Sequence, residues 1–407
     1  MRLELFDRYL RHGELTLVDT NGERHTFGSG TPKVTWLMRR PDTLRRILAD
    51  PALQLGETYM EQGWDVDEGN LTDLIRILRS NMGELVQRRT PLTELAALLQ
   101  TWNALRASFA NVHRHYDLDE TLFRAFLDRD MHYSCAYFRD ADMSLESAQL
   151  AKCNHIERKL LLAPDQRVLD IGCGWGSLAL HLAETVGDSV VGLTLSAEQL
   201  RVARAEAARR GLADRVEFRL QDYRQHRGHY DRIVSVGMFE HVGRRNFGRY
   251  FAQLASQLLP GGVALLHTIG STRPPASTNA WHRRHVFPGG HIPSLSSIAR
   301  AIERSGLHIG DLEILRPHYA LTLKEWNRRF QTQRAQFATT KGERFCRMWE
   351  FYLVTSQTAF EFGELVVFQF QVGGRDAPFP PTRDYLYPGI DQSLAAPLPA
   401  ALMPRHE

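Results

Sequence analysis

The segment Arg167 to Gly187, RVLDIGCGWGSLALHLAETVG, constrains this chain more than any other stretch. Val168, Leu169 and Ile171 form a short apolar run with β-branched residues. Gly172, Gly174 and Gly176 follow at once, and Leu178, Leu180 and Leu182 then fall in a helix-compatible stretch. The pattern predicts strand, tight turn and helix. Glycine serves such a turn because it adopts dihedrals other residues avoid and lets a ligand approach the backbone. The N–H groups opening the helix then face whatever the loop holds. The glycines run G-x-G-x-G, tighter than the G-x-G-x-x-G of dinucleotide sites, and no Lys-Ser or Lys-Thr pair follows as in a phosphate-gripping loop. Asp170, two residues ahead of the first glycine, suits a cationic ligand better than a pyrophosphate, which points to S-adenosylmethionine with its ammonium and sulfonium groups. On this stretch alone, a plain βα turn of an α/β domain is the rival reading.

With 407 residues, 43% of them hydrophobic, the chain can bury a large core and form two domains. The net charge is +3, and residues 1–110 carry 14 basic against 15 acidic side chains, so no nucleic-acid-binding arm is present. Cys135, Cys153, Cys173 and Cys346 have neither zinc-site spacing nor a disulfide framework, which fits a reducing, cytoplasmic setting. The opening MRLELFDRYLRHGELTL lacks the apolar centre of a signal peptide, and no apolar run reaches the ~18 residues a spanning helix requires. A soluble protein, or one that sits on a membrane surface, is expected.

Taken in order, residues 1–95 read as a small α+β domain. Leu15 to Val18 and His25 to Phe27 flank the turn dipeptide Asn21-Gly22, which predicts a hairpin; Leu44, Ile47 and Leu48 make a helical stripe. Gly56 to Asp65, GETYMEQGWD, reads as a turn with a buried Trp. Leu92, Leu95, Leu98 and Leu99 place a helical linker over 96–115. Residues 116–375 form the principal domain, opened by a stretch in which His115, Tyr116, Tyr133, Ser134, Cys135, Tyr137 and Phe138 crowd together as a lid or as an aromatic satellite core. Residues 376–407 are a Pro-rich tail, read as extended. Beyond the glycine loop, strands are expected at Ser189 to Leu195, Val216 to Leu220, Arg232 to Val236 and Val263 to His267, with Ser196 capping a helix that ends at Gly211. Alternating strands and helices imply a parallel sheet whose ligands lie beyond the carboxyl ends of its strands, where Asp222, Glu240 and His267 fall.

Taken together, GETYMEQGWD, HYDL, YSCAYF, SLESAQLAK, VLDIGCGWG, GLTLSAEQ, QDYR, MFEHVG, FPGGHIPSL, HYALTLKEW and RMWEFYL resemble the cyclopropane fatty acid synthase family, over nearly the whole chain. The resemblance implies a Rossmann-like class I methyltransferase domain with a mostly parallel seven-stranded sheet, and a possible homodimer. It implies methylene transfer from S-adenosylmethionine to a cis double bond of an acyl chain in a membrane phospholipid, at the inner face of the membrane. Cofactor contacts carry over to Tyr133, Ser134, Gly172, Gly174, Thr194, Leu195, Gln199, Asp222 and Tyr223. The family also holds a bicarbonate ion, whose ligands match Cys135, Glu240, His267, Ile269 and Tyr352, the first and fourth through backbone atoms. No metal is implied. Two departures stand out: Leu193-Thr194-Leu195 replaces the acidic residue that generic methyltransferases carry after the second strand, leaving the ribose to Thr194 and Gln199, and Ser356 replaces a Cys of many relatives.

The chemistry explains the demand for such residues. An isolated alkene is a poor nucleophile, so the sulfonium methyl must be held in line with it. The resulting carbocation needs a dry site and aromatic faces, for which Tyr137, Phe239 and Tyr319 are candidates at roughly 0.5–2 kcal/mol per ring. Ring closure needs a base for the new methyl, and a protein carboxylate facing the sulfonium would stabilise the ground state as well. Singly, Glu240 reads as a helix cap, His267 as a core histidine and Tyr352 as part of an apolar helical stripe; only their joint occurrence in family motifs reverses this. Trp281 to His285 and Lys324 to Arg334, with Trp326, Phe330 and four basic residues, are candidate grips for anionic headgroups. Methylation of an unsaturated acyl chain or of a small molecule without ring closure, and a non-catalytic lipid-binding role, are the alternatives.

Overall fold

The computed structural model describes residues 4–86, 120–186, 189–274 and 278–387. His115, Tyr116, the expected linker helix and the tail beyond Tyr387 lie outside them. Strands β1 (Gly13–Val18), β2 (Arg24–Ser29), β3 (Lys33–Met38) and β4 (Trp64–Val66) form a small sheet in the order β2-β1-β3-β4. The expected hairpin is its first pair, antiparallel with Leu15 opposite Phe27. Strands β5 (Val168–Ile171), β6 (Val190–Thr194), β7 (Val216–Leu220), β8 (Tyr230–Val236), β9 (Leu258–Gly270), β10 (His308–Leu315) and β11 (Val366–Gly373) form a seven-stranded sheet in the order β10-β11-β9-β8-β5-β6-β7. The run from β9 to β7 is parallel, and β11 lies antiparallel to both its neighbours, β9 and β10.

Both faces of this sheet are covered, which is why β5 and β6 are apolar at nearly every position. One face packs Ile156, Leu178, Leu182 and Ala203 in a core with Val168, Val190 and Phe218; the other packs Phe247, Phe251, Leu254 and Ile298 against Leu169, Ile233 and Leu266. Ser196 caps its helix as expected, its Oγ accepting from Gln199 N at 3.2 Å, and Gly211 follows the helix end at φ 68°. Residues 376–387 are not a free extension: Asp376 accepts from Gly261 N at 2.6 Å, Arg383 pairs with Asp311, and Leu386 is buried.

GETYMEQGWD is no simple turn. Its first half completes a helix, Pro51–Met60, and its second half leads through Trp64 into β4, with Trp64 fully buried as expected. That helix crosses the helices Ala280–His285 and Glu343–Glu361, and the apolar core of the small sheet continues through Tyr59, Trp281, Phe351 and Trp349. The crossing demands glycine at 56, because a Cβ there would lie 2.4 Å from Trp281 Nε1 and 2.7 Å from Phe351. Glu57 accepts from His285 at 2.8 Å and pairs with Arg284 at 3.1 Å, and Tyr59 donates to Glu350 at 3.0 Å. Arg347 lies 4.6 Å from the Tyr59 ring centroid, donates to the Tyr59 and Trp64 carbonyls and pairs with Asp65. Arg347→Met keeps the apolar stem but strands these acceptors; it should cost roughly 2 kcal/mol, read as a lower denaturant midpoint at unchanged slope.

Candidate functional site

Two cavities adjoin at the carboxyl ends of the parallel strands. The first is lined by all nine residues expected to hold the cofactor: Tyr133, Ser134, Gly172, Gly174, Thr194, Leu195, Gln199, Asp222 and Tyr223. Gly172 and Gly174 have φ of 85° and 55°, and a Cβ on Gly174 would meet no protein atom within 4 Å, so this glycine opens the floor of the cleft. Gly176, at φ 89°, serves packing instead: a Cβ there would stand 2.8 Å from Ala203 and Phe218. Thr194 Oγ1 donates to Gln199 Oε1 at 2.9 Å, so the pair that replaces the missing acid is joined. Asp222 is clamped by Arg224 at 2.8 and 2.6 Å, and Tyr223 meets Tyr250 edge-on at 5.4 Å. Asp170 also lines the cleft; burial pushes its carboxyl up to about 7, against the opposing pull of the Lys152 charge.

Residues 131–138 form the partition between the cavities. Gln149 and Lys152, on the helix Leu145–Lys159, bond Ser134 through its carbonyl (3.0 Å) and its hydroxyl (3.2 Å). From the helix Pro317–Lys341, Thr322 Oγ1 accepts from Ala136 N at 3.1 Å, and His318 Nδ1 accepts from Phe138 N at 3.0 Å. Below it, His132 bonds Asp128 at 2.8 Å and Cys153 at 3.2 Å. The stretch is thus lid and core at once: Tyr133 and Ser134 face the cleft, while Tyr137 stacks between His155 and His318.

The second cavity is lined by all five remaining candidates, Cys135, Glu240, His267, Ile269 and Tyr352, and shares Tyr133, Ser134, Gly237 and His241 with the first. The Tyr352 and Tyr133 hydroxyls bond at 2.8 Å across the shared wall. Glu240 Oε1 accepts from Ile269 N at 2.6 Å, so that N–H serves the carboxyl, while Oε2 is buried without a partner among the described residues. Burial raises the Glu240 pKa to about 7. His267 shares Nδ1 with the Gln369 amide at 3.1 Å, and burial lowers its pKa to about 3. Burial likewise lowers His241 and His291 to about 4, and His291 Nε2 has no partner among the described residues. Among the described lining residues there is no Lys, Arg or Asp, so around neutral pH the cavity holds no fixed charge other than that of Glu240 itself.

Several expectations are corrected. Of the three rings proposed for a carbocation, only Tyr319 borders this cavity, joined by Phe287; Phe239 stacks on Phe247 in the sheet core. Trp281, Trp326 and Phe330 are fully buried and cannot touch headgroups, and Arg328, Arg329 and Arg334 are ion-paired to Glu325, Glu146 and Glu343. Apolar spacing along a helix signals a buried face as readily as a membrane face. Lys152 and His291 join the lining without having been expected there, although Gln149 and Lys152, three residues apart, necessarily share a helix face.

Two substitutions test the assignment. Gly174→Ala should fold at a cost of about 1 kcal/mol for its left-handed backbone yet lose S-adenosylhomocysteine binding by calorimetry; Gly176→Ala should lose stability through the added clash. For Glu240, the folded pKa of about 7 stands above the ordinary 4.5, so its stabilising effect is full below pH 4.5 and is lost as pH rises to 7. Glu240→Gln, which cannot ionise, should therefore melt higher than the parent above pH 7, with the gap closing toward pH 4.5 in thermal scans.

Residues 103–370 match the family model described as mycolic acid cyclopropane synthetase, and residues 12–90 match a domain of unknown function (DUF7884). The chain is 39% identical over 334 residues to the cyclopropane-fatty-acyl-phospholipid synthase of Escherichia coli, covering 82% of this chain and 86% of that one. It is 37% identical to the tuberculostearic acid methyltransferase UfaA1 of Mycobacterium tuberculosis, over 90% of this chain and 89% of the relative. Among solved structures, mycolic acid cyclopropane synthase CmaA1 in complex with SAH and CTAB is 34% identical, with a TM-score of 0.61 over 65% of this chain and 97% of that one. With all the motifs in one fold and these matches spanning most of its length, the chain belongs to the mycolic acid cyclopropane synthetase family.

Proposed function

We propose that this protein transfers a methylene group from S-adenosylmethionine to a cis double bond of an unsaturated acyl chain in a phospholipid, closing a cyclopropane ring. The observation that carries this reading is the second cavity: largely apolar, lacking cationic side chains, ring-lined, and sharing a wall with the cofactor cleft. A methyl group leaving the cleft past Tyr133 and Gly237 would meet an acyl chain held there. Tyr319 and Phe287 offer faces to a developing cation, and the apolar walls keep out the water that would trap it as an alcohol.

The residues also fit a small anion. Glu240 Oε2 has no partner among the described residues, and the Tyr352 hydroxyl and the His267 ring border the same space. With Nδ1 accepting from Gln369, His267 carries its proton on Nε2. Bicarbonate bound there supplies the base for the proton lost from the added methyl. Glu240 and Tyr352 then orient, and burial keeps His267 neutral so that it donates without repelling the sulfonium.

No described helix is long and apolar enough to cross a membrane. Peripheral binding at the cytoplasmic face is the route proposed to the lipid, with Lys324, exposed on the helix Pro317–Lys341, as a contact. Co-sedimentation with anionic vesicles should fall as salt rises.

Lipids from cells expressing the protein should gain one carbon and two hydrogens per modified chain, with no alkene left to ozonolysis. A gain of carbon with the alkene retained would instead identify methylation without ring closure, the activity class that the likeness to UfaA1 favours. Glu240→Gln should lower turnover at least a hundredfold, about 2.7 kcal/mol of barrier, in an assay of S-adenosylhomocysteine release on unsaturated vesicles.

A further inference from the structure

The helix Leu145–Lys159 carries two buried lysines with opposite circumstances. Lys159 is 0% exposed and fully answered, with Glu313 at 2.5 Å and Asp311 at 3.7 Å. Lys152 is 1% exposed and has a single hydrogen bond, Nζ to Ser134 Oγ at 3.2 Å, and no ion pair among the described residues. Buried ammonium groups are kept only where something compensates them.

The neighbouring acids do not fill that role. Asp128 is already engaged: Oδ1 accepts from His132 N at 2.8 Å, and Oδ2 from the His132 ring at 2.8 Å and from Asp130 N at 3.1 Å. Asp170 lines the same cleft as Lys152, yet its carboxyl has no hydrogen bond or ion pair with any described residue. Lys152 and Asp170 therefore border one cleft with no hydrogen bond or ion pair between them, although the Lys152 charge acts on the Asp170 carboxyl against its burial. That arrangement is complementary to a ligand carrying both charges, such as the α-amino acid end of S-adenosylmethionine.

We propose that Lys152 is the anchor for the α-carboxylate of the methyl donor, beside Asp170, whose place ahead of the glycine turn already suits it to the cationic end. The assignment rests on the cofactor reading of the cleft. The Ser134 hydroxyl gains a second role from it, since its bond to Lys152 at 3.2 Å fixes the ammonium toward the cleft. A bound carboxylate then ties the helix to the partition that separates the cavities, so the donor's amino acid end helps set the wall its methyl must pass.

The test is calorimetry on the full chain with three probes: S-adenosylhomocysteine, its decarboxylated analogue, and 5′-methylthioadenosine, which lacks the amino acid end. The parent protein should prefer S-adenosylhomocysteine to the decarboxylated analogue by roughly 10- to 100-fold, the worth of a hydrogen bond to a charged group. Lys152→Met should abolish that preference, weakening S-adenosylhomocysteine alone and leaving the other two probes unchanged. Its unliganded melting temperature should stay or rise, since an unanswered buried charge has been removed. Equal weakening of all three probes with a lower melting temperature would overturn the proposal and make Lys152 a packing residue, as would unaltered binding of S-adenosylhomocysteine. A parent protein that binds methylthioadenosine but does not distinguish the two longer probes would overturn the anchor while leaving the cleft a nucleoside site. A parent protein that binds none of the three would overturn the cofactor reading and the anchor with it.

Discussion

Eight residues of irregular backbone, 131–138, hold the two cavities apart, and the grip on them from three sides is the interaction on which the rest of the site depends. One helix fixes Ser134 through Gln149 and Lys152, a second fixes Ala136 and Phe138 through Thr322 and His318, and the Asp128–His132–Cys153 chain fixes the start. Irregular backbone at this depth must find partners for its polar groups, and here both flanking helices contribute side chains for the purpose. The strand ends alone would put Asp170, Asp222, Glu240 and His267 at one edge of the sheet; the partition sorts them into a polar cleft and a neutral chamber.

That sorting is electrostatic. Glu240, His241, His267 and His291 are all pushed by burial toward their uncharged forms. On the mechanism proposed above, neutral groups in this chamber avoid a ground-state attraction to the sulfonium that would not speed the reaction. In the cleft next door burial raises Asp170 as well, but there the Lys152 charge opposes the shift.

Much of this could be read from residue order. The glycine loop, the Ser196 cap, the Asn21-Gly22 hairpin and the strand-end positions of the polar residues follow from local rules, and local rules held. What failed was anything that required knowing a helix's neighbour. Trp281, Trp326 and Phe330 have the composition of a membrane-facing surface and the location of a core, because other elements of the chain pack over them. GETYMEQGWD looks like a turn because Gly56 and Gly63 break its helical pattern, yet Gly56 is there for a close helix crossing that no local rule announces. The roles proposed for Lys152 and Asp170 depend on which charges are left over once others are paired, a property of the assembled fold.

The crossing at Gly56 has a consequence for how such chains can be shortened. Trp281 and Phe351 are covered by a helix that belongs to the first sixty residues, and their burial is complete only while that helix is present. Without that helix the two rings would lose their cover. Excising the amino-terminal segment without resurfacing them would expose a sticky aromatic face on the very helices that close the chamber, so the fragment would aggregate before its chemistry could be assayed.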